Sequence, residues 1–427
     1  MMGKSLFSTI ACLLLSSSLM AGGFSIGEFG ARSASMGNAV VAQAYDASTL
    51  FYNPAGLGFL KGTHFYGGIT GIAAKSRFIG ADPVFDQTIH KGKDQFFPPV
   101  GIHLTHQLTD KFAAGISLTN PFGLGVAWKD DFPGRFISKD VTLQTFYLTP
   151  VVSYRINENL SIGVGAQIIF SNVNLQRNIL LFNTEGVGGT GTEVGTVELD
   201  GGGDPTFGFS GGLMYKTDRL GLGLSYSHSV TTEFNEATAD FTVFDNLDPK
   251  TAALANGLFV DQKGSAAIDI PNILATGIYY KFMDNFGAEI GYAWYNWSVF
   301  EKIDLLFDDA RLNQTIPEDY ENSYQIRLGA HYDLNTIWQL RAGYIYDKTP
   351  QPIQSVSPLL PDDTRNDYSV GVGYKAGKFN VDAGYMFVDI GKRSTVEDGV
   401  GQNDNGFNGE YNSRADLFML SFGYQIR

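Results

Sequence analysis

The chain has 427 residues, with 51 glycines, 32 Phe, 21 Tyr, a single cysteine and a formal net charge of −14, enough for one large domain or two ordinary ones. The acidic balance excludes a nucleic-acid partner, which needs a basic footprint. Nowhere after the first 21 residues is there a run of roughly 18 apolar residues, so no spanning helix is expected.

Residues 1–21 read as a secretory signal: Lys4 near the start, an apolar stretch over 10–15, and Leu19-Met20-Ala21 ahead of the expected cut. Cys12 lies inside that signal, and Thr9-Ile10-Ala11 before it makes a poor lipidation box. The remaining chain would carry no cysteine, which removes disulfides, thiol catalysis and thiolate metal sites together. A secreted chain without spanning helices is periplasmic, released or a β-barrel.

Residues 22–60, GGFSIGEFGARSASMGNAVVAQAYDASTLFYNPAGLGFL, are rich in Gly, Ala and Ser and lack the alternation found almost everywhere after them. Short helices are predicted over 31–43 and 47–51. The Asn53-Pro54-Ala55-Gly56 step should stop any helix, because proline restricts the residue before it and glycine permits unusual dihedrals. On pattern alone, an N-terminal helix and loop capping a β domain fits this segment as well as a plug does.

From there on, apolar and small or polar residues alternate with period two, the mark of strands whose faces see different surroundings. Residues 111–120 put Phe112, Ala114, Ile116 and Leu118 on one face; 159–170, 220–226, 324–332, 338–346 and 418–426 repeat the pattern. Six connections are very short, at 109–111, 157–159, 217–219, 283–285, 334–336 and 376–378. Seven long polar segments alternate with them, near 80–95, 120–138, 181–204, 240–262, 305–320, 349–363 and 393–410. That arrangement joins fourteen strands, with every long loop at one end. It predicts an all-β, 14-stranded antiparallel transmembrane β-barrel over 61–427, with short periplasmic turns and long outer loops. A soluble sandwich has no reason to segregate its loops so. Tyr154, Tyr215, Tyr280, Tyr332, Tyr374 and Tyr424 gather near strand ends, as an interfacial girdle requires. The stretches 159–180 and 219–240 exceed the ~10 residues needed to span and should wall a vestibule above the membrane.

The frame GFSIGEFGARSASMGNAVVAQAYDASTLFYNPAGL resembles the N-terminal hatch of the FadL family, outer-membrane channels for long-chain fatty acids and hydrocarbons. Asn120-Pro121-Phe122-Gly123-Leu124, Phe132-Pro133-Gly134-Arg135-Phe136, 149–155, 160–165, 365–374 and Ala383-Gly384-Tyr385 are similar too. The resemblance implies that 22–60 plug the barrel lumen, with Asn53, Pro54 and Ala55 as the hatch signature. It implies a monomer that takes up hydrophobic small molecules by passive diffusion through a lumen pocket. Rearrangement of the hatch N-terminus would release the ligand, and a kink in the third strand would offer a sideways exit into outer-membrane lipid. That lateral gate is placed at Asn120, Pro121, Phe122 and Gly123, since Pro121 cannot donate to a ladder. One departure is the C-terminus: signals read by the outer-membrane assembly machinery usually end in Phe or Trp, whereas this chain ends Tyr424-Gln425-Ile426-Arg427.

Chemistry of other kinds is hard to find. His103 and His106 are three apart in a strand and point to opposite faces, while His64, His90, His228 and His331 lie on separate elements. No metal, cofactor or catalytic residue is assigned. Acidic clusters at Asp308, Asp309, Glu318 and Asp319, and at Glu397, Asp398, Asp404 and Glu410, match no calcium-loop spacing and read as solvated charge. The third loop, 186–203, is Gly- and Thr-rich; the fourth carries helical character over 251–258, with apolar residues suited to a landing site or to packing against the third. Lumen parity gives Gln325, Arg327 and His331 on one strand and Gln339 and Arg341 on the next. Arg327 and Arg341 can pair with hatch carboxylates such as Glu28 or Asp46, or meet a substrate carboxylate bidentately. Phe24 and Ile26 are candidates to line the apolar pocket. A general porin for small solutes and a structural or adhesive barrel are the alternative functions.

Overall fold

The computed structural model describes residues 22–81, 87–182 and 191–426; the proposed signal and Arg427 lie outside these residues. The alternating stretches form one closed wall of fourteen antiparallel strands. They are β1 (Thr63–Gly80), β2 (89–107, in pieces Ile89–Lys91, Gln95–Phe97 and Val100–Gln107), β3 (Phe112–Thr119, then Gly123–Ala127), β4 (Asp140–Arg155) and β5 (Leu160–Phe182). Next come β6 (Gly191–Gly202, then Thr206–Lys216), β7 (Leu220–Ser227, then Val230–Val243), β8 (Gln262–Ile270, then Ile273–Met283) and β9 (Phe286–Tyr295, then Lys302–Phe307). The wall ends with β10 (Gln314–Pro317, then Ser323–Asp333), β11 (Trp338–Asp347), β12 (Arg365–Ala376), β13 (Phe379–Ser394) and β14 (Gly409–Gln425). β14 pairs with β1 from Gly80↔Gly409 down to His64↔Gln425, so the sheet has no free edge. Closure matters because an unpaired backbone group facing lipid costs several kcal/mol.

The period-two pattern sorts the side chains as expected. Ile116, Ile162, Val164, Leu328, Leu340, Phe418 and Leu420 are exposed on the outside, while Ser117, Ser161, Arg327, Arg341 and Met419 are buried inside. His103 is buried and its neighbour in the sequence pattern, His106, is exposed on the opposite face.

Several loop boundaries differ from the sequence reading. Gly191–Gly202, assigned to a Gly- and Thr-rich loop, is the upper half of β6, paired with β5 and β7; residues 186–190 of that loop lie outside the described residues. Threonine and valine alternate there, but the glycines mask the signal. Gly123–Ala127, also assigned to a loop, pairs with β4. The fourth outer loop does carry a helix, Pro249–Leu258, whose N-terminus is capped by the Asp248 carboxylate accepting from the Lys250 and Thr251 amides.

Residues 22–60 pack against inward positions of the wall, their backbone meeting Gly163, Gly223, Gly329 and Gly343. The helix expected over 31–43 is one turn, α1 (Ala31–Ala34), because Gly37 (φ 57°) and Asn38 (φ 52°) both turn left-handed. The Asn38 amide donates back to Ser33 O, closing the turn in the manner of a helix C-cap. The second helix, α2, covers Thr49–Tyr52. It stops before Asn53 as expected, but Pro54 then opens a 3-10 turn over Pro54–Phe59, occupying the first position where its missing N–H costs nothing.

Candidate functional site

Asn53, Pro54 and Ala55 dock on the wall between β5 and β6. The Asn53 amide nitrogen donates to Val41 O (2.8 Å) and to Leu213 O on β6 (3.2 Å), while its oxygen accepts the Ala55 amide (3.1 Å). Two wall glycines make this approach possible. A Cβ on Gly163 would collide with the Pro54 backbone, and one on Gly212 with the Asn53 amide.

The plug is also tied by a wall carboxylate. Glu289 on β9 is buried and accepts from the Ala42 amide (3.0 Å) and the Gln43 side chain (2.9 Å). The sequence reading had the opposite arrangement, wall arginines gripping hatch carboxylates. Glu28 is instead taken by the Asn38 side chain (2.7 Å) and Asp46 by Ser48, so neither meets Arg327 or Arg341. Glu289 was overlooked, although its place between the outward Ala288 and Ile290 marks it as an inward carboxylate.

The segment at the start of the plug completes a defect in the wall. Between Thr119↔Tyr147 and Gly123↔Gln144, β3 spends three residues, 120–122, where β4 spends two, 145–146. The extra residue carries Pro121 out of the ladder, while Phe122 stays tied to β4 through Thr145, whose amide donates to its carbonyl (3.2 Å). On its other side, the β2–β3 ladder runs only to Ile102↔Leu118 and resumes at the Gly92↔Trp128 bridge. Side chains reach across the gap: Asn120 accepts from the Val100 amide (3.1 Å) and Gln95 from the Ala127 amide (3.1 Å). The displaced backbone pairs with the plug instead, Ile26 donating to Pro121 O (2.8 Å) and Gly123 to Phe24 O (2.9 Å). Asn120, Pro121, Phe122 and Gly123 are thus brought against Phe24–Ile26.

Beside this junction lies a cavity bordered by Ser25, Ile26, Phe51, Pro121, Phe122 and Arg327. Arg327 donates to the Gln325 side-chain oxygen (2.9 Å) and the Tyr295 hydroxyl (2.9 Å), and among the described residues it has no carboxylate in salt-bridge range. Gln325 bonds Asp347 (3.0 Å), which accepts the Gly22 amide (2.6 Å). A polar chain therefore runs from Arg327 to the first described residue of the plug. Asp362 extends it, accepting from Gly23 (3.1 Å) and pairing with Arg365 at 2.6 Å.

Arg341 stands apart. It is ion-paired with Asp382 at 2.7 Å and borders a different hollow, near Tyr45 and the β10–β11 turn, so the structure separates it from Arg327. Phe24 is also placed differently from a lining residue. It is 2% exposed and inserts edge-on between Trp297 (4.7 Å), Phe300 (5.4 Å) and Phe122 (6.1 Å). It occupies an aromatic pocket, whereas Ile26 faces the cavity. Trp297 and Phe300 follow the first piece of β9, and nothing local in the sequence ties them to residue 24.

Against known proteins, the family described as outer membrane protein transport protein (OMPP1/FadL/TodX) matches over residues 12–426. The chain is 25% identical to the long-chain fatty acid transport protein of Salmonella typhi, across 99% of both chains. It is 25% identical to outer membrane protein P1 of Haemophilus influenzae, a match spanning 67% of this chain and 65% of that one. Among solved structures, a Pseudomonas aeruginosa FadL homologue superposes with TM-score 0.83 at 22% identity, over 95% of this chain and 100% of the other. The Pseudomonas putida toluene transporter TodX gives 0.71 at 17% identity, over 93% and 99%. A plugged fourteen-strand wall and a family match over nearly its whole length agree: this chain belongs to the OMPP1/FadL/TodX family of outer-membrane transport proteins.

Proposed function

We propose that the protein admits hydrophobic molecules, long-chain fatty acids or related hydrocarbons, from the outer loops to the lumen and releases them sideways into the bilayer. The observation that carries this reading is the gap between β2 and β3, closed by Phe24–Ile26 and bordered by the cavity that Arg327 lines. A ligand displacing Phe24–Ile26 would free the Pro121 carbonyl and the Gly123 amide and find the wall already unpaired beside them. An apolar molecule gains by leaving through that gap, because lipid is a better solvent for it than water. Arg327, without a carboxylate partner among the described residues, is the group to receive a fatty-acid carboxylate bidentately. Membership of a transporter family supports a carrier role over catalysis.

A general porin needs a continuous aqueous lumen, which a plug of residues 22–60 would interrupt. The two are separated by reconstituting the protein in liposomes and measuring swelling in a small sugar alongside transfer of a fluorescent long-chain fatty acid. Fatty-acid transfer without sugar entry supports the proposal; sugar entry at porin rates would replace it with the porin reading.

A further inference from the structure

The chain is acidic overall, at −14, yet on one side of the outer wall cations face one another. Register places Lys75 of β1 directly opposite Arg414 of β14, and Arg77 of β1 directly opposite Lys91 of β2. All four are exposed on the outward face. Like charges directly opposed across a ladder destabilise it, so two such pairs side by side call for an anion between them. The neighbouring carboxylates do not supply it. Asp416 is held by the Tyr385 hydroxyl (2.7 Å) and Glu410 by Lys392 (3.1 Å). Asp389 lies opposite Arg414 on its other flank, but among the described residues none of the four cations is in salt-bridge range of a carboxylate.

Their height on the wall says what the anion is attached to. β1 rises from the short-turn end at Thr63 to the loop end at Gly80, and its outward Ile69 is exposed beside the outward Phe418 and Leu420 of β14. Tyr385 and Phe418 form an aromatic pair at 5.4 Å at the upper end of that band. The cations follow immediately beyond, where an outer-membrane barrel meets the headgroups of the outer leaflet. Elsewhere at the loop end, β7 shows exposed Glu233, Glu236 and Asp240, so the basic patch is local.

We propose that Lys75, Arg77, Lys91 and Arg414 bind the phosphates of the outer-leaflet glycolipid, phosphorylated lipid A, whose acyl chains lie along the apolar band below. The lipid source is favoured over free phosphate because the patch adjoins that band, where one molecule satisfies both the charges and the apolar surface. This site is separate from the lumen, and transport can fail or succeed without deciding it.

The test uses the full chain in detergent and measures binding of diphosphoryl lipid A by native mass spectrometry. Lys75→Gln/Arg414→Gln should weaken binding by about tenfold or more, since each cation near an anionic membrane surface contributes appreciably. Lys111→Gln/Arg219→Gln, which removes two exposed cations at the short-turn end, should leave binding unchanged. Dephosphorylated lipid A should bind weakly, and millimolar inorganic phosphate should not displace the lipid. All variants should keep the gel-mobility shift of a folded barrel. Equal retention of lipid A by wild type and Lys75→Gln/Arg414→Gln, or an equal loss in the control pair, would overturn the proposal. Displacement by inorganic phosphate would overturn the lipid assignment and leave a free-anion site.

Discussion

Phe24→Ala tests how the plug is latched. Phe24 is 2% exposed and touches three aromatic rings, and truncating such a buried phenylalanine costs about 3–5 kcal/mol. The segment Gly22–Ile26 is otherwise held by the Ile26–Pro121 and Gly123–Phe24 backbone bonds and by Gly22 and Gly23 on Asp347 and Asp362. The two backbone bonds are worth roughly 1 kcal/mol net each and the two to carboxylates about 1.5–3. Phe24 is therefore the largest single tie of the segment. Losing about 3 kcal/mol of docking raises the ratio of released to docked segment by roughly a hundredfold. The vacated pocket of Trp297, Phe300 and Phe122 then accepts a ligand without displacing a side chain, so apparent affinity for an apolar ligand should tighten. The readouts are ligand titration followed by tryptophan fluorescence, with Trp297 lining the pocket, and conductance in planar bilayers, which should rise. Ile26→Ala, which only removes cavity contact, should instead weaken binding by about tenfold or more. Unchanged affinity and conductance in Phe24→Ala, with folding intact, would refute this view of the latch.

Three further variants address other parts of the site. Arg327→Ala should weaken binding of a fatty acid while leaving a neutral hydrocarbon of equal length unaffected, measured side by side; equal loss for both would mean Arg327 serves the plug through Gln325 and Asp347. Glu289→Ala removes two charge-assisted bonds to the plug, each about 1.5–3 kcal/mol, and should raise resting conductance without altering the gel shift. Burial pushes the Glu318 carboxyl, between the two pieces of β10, up to about 8 from its ordinary 4.5. Its protonated form therefore supports folding fully below pH 4.5, and that support is lost as pH rises toward about 8. Glu318→Gln should flatten the decline of the unfolding midpoint in that window and leave it unchanged below it.

The wall was legible because its two faces meet different solvents. Ile116, Leu118, Leu340 and Phe418 alternate with small or polar inward residues, and short turns make sequence neighbours into ladder neighbours. The plug was less so. It has no lipid face, and its path is set by wall features far away in sequence: Gly163 and Gly212 admitting the Asn53–Ala55 step, Glu289 holding Ala42. Parity placed Arg327 and Arg341 in the lumen correctly, but it cannot report that Asp382 neutralises one and leaves the other beside the cavity. Phe24 was recognisable as an apolar N-terminal residue; that it fills a pocket depends on Trp297, more than 250 residues later. Pro121 carried its own signal, since a residue without an N–H cannot sit inside a continuous ladder.

Deleting Pro121 is the most direct test of the sideways route. It leaves 120 and 122 facing 145 and 146, two residues against two, so β3 can pair with β4 without the displaced backbone that Phe24–Ile26 now holds. Uptake of radiolabelled long-chain fatty acid should then be compared in cells carrying equal amounts of folded protein in the outer membrane. The account predicts that uptake falls to the level of cells lacking the protein, while ligand binding to the purified protein persists. Uptake undiminished by the deletion, with the ladder shown to be continuous, would contradict passage through the wall.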